Sequence, residues 1–153
     1  MNGIGYVDSI IVYNRVVDGL METETYYGTR FNGVRVELTQ GNQVASTGNQ
    51  NADACVVKIP MDVVAGRYLP PKVWSSSDDK TAYFTLDKDN KDFFVVVCKP
   101  LLGIDITLPI GSVDSDKYPG GYYQHICSAY GYAYQINHVD VYELIARYEI
   151  GGG

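Results

Sequence analysis

The chain has 153 residues, the usual size of one domain, and 46% of them are apolar while 20% are charged. This balance predicts a single globular domain over residues 1–153 and excludes a largely disordered chain. The net charge of −6 disfavours binding to nucleic acid phosphates. Apolar runs reach only six residues, too short to span a bilayer, and the first residues lack the features of a signal peptide.

The first hundred residues have the pattern of a series of short strands. Apolar and β-branched runs alternate with clusters of Gly, Asn, Asp and Pro, and the chain contains 14 tyrosines and 16 glycines. This spacing predicts an all-β fold, a small antiparallel β-barrel or sandwich with long loops. The predicted strands are residues 6–17, 23–29, 33–39, 54–59, 82–86 and 93–98, with a polar loop at 40–51 and an irregular connection at 62–77.

Two of these strands indicate which side chains are buried. In 33–39, apolar residues alternate with Arg35 and Glu37, so one face is buried and the other is solvated. Residues 93–98 form a continuous apolar run, which is typical of a central strand buried on both faces. The predicted core therefore contains Val34, Val36, Leu38, Val56, Ile59, Phe84, Val95 and Val97.

The last third of the chain has a different composition, with two basic residues against six acidic ones in 101–153. Prolines and glycines at 103–121 predict a long loop with a short extended piece at 104–108. The aromatic-rich residues 122–136 predict one or two strands. Residues 142–150 fit either a strand or a helix face, and the β character of the rest favours a strand. We expect 151–153, three glycines, to be a flexible end.

The cysteines and histidines do not have the spacing of a metal site. Three separated cysteines make an odd count, which predicts reduced thiols rather than a disulfide framework. A single residue separates His125 from Cys127, and no second close pair exists. Structural zinc ligands come in pairs that are separated by two to four residues. We therefore expect Cys55, Cys98 and Cys127 to be buried apolar side chains within strands, and we expect no metal, cofactor or disulfide.

The sequence also lacks a catalytic motif. The acidic segment 87–92 contains Lys88 and Lys91 and has no glycine at the sixth position, so it predicts a solvated turn and not a calcium loop. No G-x-S-x-G elbow and no glycine-rich phosphate loop is present. We expect a protein that is not an enzyme. The tyrosines fit half-exposed strand positions and a protein–protein interface equally well.

Several short motifs occur in an order that resembles a known family. They are IIVYNR at 10–15, GV at 33–34, KIPMD at 58–62, GRYLPPK at 66–72, YFTL at 83–86 and DFFVVV at 92–97. Over about residues 8–100 this order resembles small structural proteins of long-tailed phages, the head-completion or head–tail connector proteins. The resemblance implies a non-enzymatic β-barrel subunit, of the stopper type, that forms a homo-oligomeric ring of six or twelve copies at the virion neck.

The resemblance also implies partners and a location. A portal or adaptor ring lies on the head side, tail proteins lie on the other side, and packaged DNA passes through without sequence-specific binding or any membrane contact. The ring is assembled in the host bacterial cytoplasm. The alternatives are a neighbouring neck or tail-terminator ring protein and, in a different class, a β-sandwich module that binds carbohydrate or peptide.

The candidate contact residues lie in the middle of the predicted loop 103–121. They are Asp114, Asp116, Lys117 and Tyr118, a polar tip with one aromatic anchor. We expect this loop to become ordered on assembly and to face the channel or a neighbouring ring, where acidic side chains would repel DNA phosphates. Replacing 111–118 with a Gly-Ser linker is accordingly expected to leave the subunit folded.

Overall fold

The computed structural model describes residues 5–38, 54–144 and 146–153. It confirms the all-β fold, since nearly half of the described residues belong to antiparallel strands and few belong to helices. The predicted loop at 40–51 lies outside the described residues. The strands are β1 (Asp8–Asp18), β2 (Thr23–Leu38), β3 (Cys55–Pro60), β4 (Phe93–Lys99), β5 (Ile104–Asp105), β6 (Gly111–Asp114), β7 (Ala133–Tyr142) and β8 (Arg147–Gly152).

Six of these strands close into an antiparallel barrel. The order is β1-β2-β3-β8-β7-β4, and β4 pairs with β1 to complete the ring. Two positions illustrate the closure: Val95 of β4 lies opposite Ile11 of β1 on one side and opposite Ala133 of β7 on the other. Closure satisfies the hydrogen-bonding groups along both edges of these strands where they pair.

The barrel strands contribute to two separate apolar cores. Alternate residues of β1 and β4, including Ile10 and Val96, point into the barrel, where they meet side chains from all six strands. Their neighbours Ile11 and Val95 point outward and are also fully buried. β1 and β4 are therefore covered on both faces, which explains their continuous apolar runs.

An outer layer covers the outward face of β1, β2 and β4. It consists of β6, which pairs with β2 from Thr25↔Asp114 to Gly28↔Gly111, and of helix α3 (Tyr122–Ala129), which follows it. Val113, Tyr122 and Ile126 of this layer are buried against the barrel. Two shorter helices, α1 (Met61–Val64) and α2 (Pro71–Ser75), lie between β3 and β4. None of the helices in the described ranges is long and apolar enough to cross a membrane.

Most of the core prediction is confirmed. Val34, Val36, Ile59, Phe84, Val95 and Val97 are buried, whereas Leu38 and Val56 are only partly buried. The two strands predicted at 23–29 and 33–39 form one strand, β2, within which Gly33 takes a positive φ of 73°. The strand predicted at 142–150 is a hairpin instead, because β7 ends at Tyr142 and β8 begins at Arg147.

Residues 82–86, predicted as a strand, form only an isolated bridge between Phe84 and Tyr68. The reason is that a buried side chain makes the backbone hydrogen bonds that a neighbouring strand would otherwise make. Asn14 Nδ2 donates to the carbonyl of Thr85 at 2.6 Å, and the amide of Thr85 donates to Asn14 Oδ1 at 3.2 Å. Phe84 still enters the barrel core, so the apolar pattern was informative about burial and wrong about the strand.

Three predictions for the last third were wrong in part or in full, although the short extended piece predicted at 104–108 is present as β5 and a strand within 122–136 is present from Ala133. Residues 122–129 form a helix because Tyr122 and Ile126, four positions apart, are buried on one face. The predicted long loop 103–121 contains β5, β6 and a 3₁₀ turn at Ser115–Lys117. The glycine end is not a flexible tail, because Gly151 and Gly152 are buried in β8. A Cβ on Gly152 would lie 2.7 Å from the carbonyl oxygen of Gln135.

Candidate functional site

The residues predicted to contact a partner surround the 3₁₀ turn that follows β6. Asp114, Asp116 and Lys117 are exposed, whereas Tyr118 is partly buried. Asp114 Oδ1 accepts a hydrogen bond from the amide of Asp116 at 3.0 Å, and Asp116 Oδ2 accepts one from the amide of Glu24 at 3.2 Å. The segment is therefore attached to β2 within the subunit itself.

A buried serine connects this turn to the barrel. Ser115 Oγ donates to Glu24 Oε1 at 2.6 Å and accepts from the amide of Tyr122 at 2.8 Å, where α3 begins. Arg15 Nε lies 2.6 Å from Glu24 Oε2. Burial acts to raise the pKa of Glu24, but the hydrogen bonds from Arg15 and Ser115 outweigh it and hold the pKa below its usual value.

Tyr118 packs into the same region. Its ring lies 5.0 Å from the ring of Tyr122 and 4.7 Å from that of His125, measured between centroids. Because Val113 and Ser115 are buried, a Gly-Ser linker in place of 111–118 would remove part of the outer core as well as an exposed tip. The expectation that such a replacement leaves the subunit folded is therefore corrected.

Two hairpin turns that the sequence pattern did not indicate carry strongly exposed apolar side chains. At the β1–β2 turn Leu20 is 96% exposed and Met21 is 69% exposed. Asp18 Oδ1 accepts hydrogen bonds from the amides of both residues, at 3.0 and 3.3 Å. Glu22 has a positive φ of 53°, an uncommon conformation for a residue with a side chain. The turn thus presents two apolar side chains on an ordered backbone.

The β7–β8 turn has the same character and lies at the same end of the barrel. Leu144 is fully exposed there, and Val141 is 52% exposed. β1 and β7 run in the same direction because each is antiparallel to β4. Both continue beyond the first residue of β4, which pairs with Tyr13 and Gln135. Two hairpins with apolar tips therefore extend from one end of the barrel.

A cleft of about 390 Å³ lies beside the stem of the β1–β2 hairpin. Its wall includes Val16 and Val17 of β1, Pro71 and Trp74 of α2, and the side chains Arg15, Lys72, Lys80 and Asp87. Lys80 Nζ donates to the carbonyl of Ser77 at 2.7 Å and lies 5.2 Å from the centre of the Trp74 ring. Arg15 is paired with Glu24, so Lys72 and Lys80 against Asp87 give this cleft a small excess of positive charge on an acidic chain.

Asp92, which bonds to the backbone of Arg15 beside this cleft, is fully buried. Asp92 Oδ2 accepts from Asn14 Nδ2 at 2.9 Å, and Asp92 Oδ1 accepts from the amide of Arg15 at 2.8 Å. Burial raises the pKa of Asp92 to about 7, although these hydrogen bonds act in the opposite direction. They attach the segment 87–92 to β1, so the carboxyl group has a structural role.

The possible zinc ligands belong to different elements. Cys98 is in β4, His125 and Cys127 are in α3, and His138 is in β7. The expectation of three buried strand cysteines was therefore wrong for Cys127, which is in a helix, and Cys98 and Cys127 are only partly buried. Among the described residues, no group of three or more His, Cys, Asp or Glu side chains is arranged to hold a metal ion. What the described residues do provide is a pair of apolar hairpin tips, a basic cleft and an acidic turn, all of which are features of a contact surface.

Comparison with known proteins gives one result. No curated protein and no solved structure matches the chain. Residues 6–99, which run from the start of β1 to the end of β4, match a family of unknown function. The chain therefore belongs to that family, DUF6751.

Proposed function

We propose that this protein is a non-enzymatic structural subunit of a tailed-phage virion, a head–tail connector of the stopper or head-completion type. It forms a ring at the neck, retains the packaged DNA and receives the tail. The observation that carries this proposal is the pair of apolar hairpin tips, Leu20 with Met21 and Val141 with Leu144, at one end of a closed barrel. Exposed apolar groups of this kind mark interaction surfaces.

The hairpin tips are suited to assembly in three respects. Covering a fully exposed leucine contributes about 1.5–3 kcal/mol. Leu20 and Leu144, with smaller contributions from Met21 and Val141, can therefore stabilise a ring substantially. The barrel holds the stems of both hairpins on a rigid base, which reduces the entropy lost on binding. In a ring every subunit presents the same tips to a neighbour, so the stabilisation from covering them is repeated at every subunit interface.

The acidic turn is consistent with the proposed passage of DNA through the ring. Asp114 and Asp116 are exposed on a turn whose backbone is held by β2, and Asp105 is exposed on β5. Carboxylates that face a channel repel DNA phosphates and let the genome pass without binding. The motif order of residues 8–100, which resembles head-completion proteins, covers nearly the same part of the chain as the family match at 6–99.

The proposal includes the partners and the place of assembly. Six or twelve copies form the ring, with the portal or its adaptor on one side and tail proteins on the other. Assembly takes place in the bacterial cytoplasm, and the finished ring stays in the virion. The buried side chains of Asp92 and Ser115 form hydrogen bonds that connect segments within one subunit.

Disrupting the gene in the phage that encodes this chain tests the proposal. We expect heads that package DNA and then lose it, together with free tails of normal length. Tails of irregular length would instead support the neighbouring tail-terminator role, and virions that assemble and infect normally would contradict both. The alternative of a binding module would be supported instead if the purified protein is a monomer that binds a glycan or a peptide.

A further inference from the structure

We propose that the β1–β2 hairpin tip of one subunit binds in the basic cleft of a second copy of this chain. The tip is residues 18–22, and the cleft is the space lined by Arg15, Lys72, Lys80 and Trp74. This inference rests on the proposed ring and identifies the contact between its subunits. The partner is another copy because the tip and the cleft have opposite charges on the same chain.

The tip has the shape of an inserting element. Leu20 and Met21 project from a turn that Asp18 holds through two hydrogen bonds to their amides. The β1–β2 ladder continues without interruption from Ser9↔Asn32 to Asp18↔Thr23, so the stem is paired up to the turn. The two apolar side chains are therefore presented at the end of a stiff stem, between the carboxylates of Asp18 and Glu22.

The cleft has the complementary composition. Lys72 is exposed at its rim, while Pro71, Val16 and Val17 provide apolar wall. Lys80 is held in place by carbonyl groups at the end of α2, so its positive charge has a defined position. A cleft of about 390 Å³ lies within the range of about 300–1,000 Å³ found for binding pockets.

A subunit cannot fill its own cleft with its own tip. Val16 and Val17, which line the cleft, belong to the stem that carries the tip. For the tip to reach the cleft, the stem would have to fold back and break the pairs from Arg15↔Tyr26 to Asp18↔Thr23. The tip is thus available to a neighbour, and the neighbour's tip is available to the cleft. Repetition of one such head-to-tail contact closes a ring when the rotation between copies allows it.

Charge reversal with rescue tests this contact. The variants are Glu22→Lys in the tip, Lys72→Glu in the cleft and the double variant, with mass photometry over a concentration series as the readout. We expect each single variant to raise the concentration at which half of the chains are assembled about tenfold or more, because like charges then meet. We expect the double variant to recover most of that loss. Thermal melting of each variant shows that the subunit remains folded.

Two matched controls change the same charges elsewhere. Asp105→Lys in β5 and Arg35→Glu in β2 lie at the opposite end of the barrel, and both side chains are exposed. We expect neither control variant to raise the concentration at which half of the chains are assembled as Glu22→Lys does. Leu20→Asp tests the apolar part of the contact and is expected to abolish assembly while the subunit still melts cooperatively.

The outcomes separate this inference from the proposed ring. If the wild-type chain forms rings that the single reversals do not weaken, the tip–cleft contact is refuted and the ring remains. If the wild-type chain forms only reciprocal dimers that both reversals weaken and the double variant restores, the contact is correct and the ring is refuted. A wild-type chain that stays monomeric at every concentration refutes the contact.

Discussion

Two buried hydroxyl groups attach the outer layer to the barrel, and their removal has unequal expected effects. Tyr122 Oη of α3 donates to Tyr13 Oη of β1 at 2.8 Å, and Tyr13 Oη donates to the carbonyl oxygen of Pro109 at 2.6 Å. Burial raises the pKa of both tyrosines, to about 12 for Tyr122, so both are neutral donors at ordinary pH. Tyr13 is the central member because it takes part in both hydrogen bonds.

The expected free energies follow from counting these bonds. Tyr122→Phe removes one hydrogen bond and leaves Tyr13 still bonded to Pro109, so we expect a loss of about 1 kcal/mol in the free energy of unfolding. Tyr13→Phe removes both bonds and leaves the Tyr122 hydroxyl buried without an acceptor, so we expect a loss of about 2–3 kcal/mol. In the double variant that stranded hydroxyl is absent, and we expect stability equal to or above that of Tyr13→Phe alone.

Urea unfolding of the wild type, the two single variants and the double variant measures this cycle. At this chain length 1 kcal/mol corresponds to a melting shift of about 2–4 °C, so thermal scans provide a second readout. Tyr83→Phe is a suitable control because the Tyr83 side chain is 40% exposed. Strictly additive losses, or a larger loss for Tyr122→Phe than for Tyr13→Phe, would refute the assigned hydrogen-bond chain.

Three further predictions concern the barrel itself. Val95→Asp places an unpaired carboxylate at a fully buried site, and we expect a loss of about 4 kcal/mol or complete unfolding, measured by urea titration. Folding raises the pKa of Asp92 to about 7, so the folded state binds the carboxyl proton more tightly than the unfolded state does. The free energy of unfolding should therefore fall as pH rises from about 4 to about 7. Asp92→Asn should flatten this pH dependence, and an unchanged slope in that variant would count against the prediction. Gly28→Ala puts a Cβ 2.7 Å from Tyr13 Cε1 and should cost about 1–3 kcal/mol in thermal melts, whereas Gly19→Ala, with open space around it, should cost little.

The sequence predicted the barrel strands well because their apolar pattern reflects burial directly. Residues 93–98 form a continuous apolar run, and β4 is covered by the barrel core on one face and by α3 on the other. The alternation of Val34 and Val36 with Arg35 likewise matches their burial in β2. Burial by many neighbours leaves a strong signal in the order of residues.

The outer layer was predicted poorly because its structure depends on distant partners. Ser115 is ordinary in sequence, and only its contact with Glu24, 91 positions away, makes it a buried connection. The aromatic residues of 122–130 have high strand propensity, yet the barrel face under them selects a helix with Tyr122 and Ile126 buried. Tertiary packing overrides local preference in such segments.

The hairpin tips leave a signal in the sequence. Leu20 and Met21 stand between Gly19 and Glu22, so an apolar pair occupies a position where turns normally carry polar residues. An apolar pair in a turn has no core to enter, which predicts exposure and therefore an external partner. The basic cleft could not be predicted in this way, because Arg15, Lys72 and Lys80 are brought together only by the fold.

A cryo-electron microscopy reconstruction of the neck of the phage that we propose encodes this chain tests the central claim most directly. We predict a ring of six or twelve copies between the portal side and the tail, with density into which the closed barrel of β1-β2-β3-β8-β7-β4 fits. The acidic turn at Asp114 and Asp116 should face the channel. A neck built entirely from other chains, in virions from which this protein is absent, would contradict the claim.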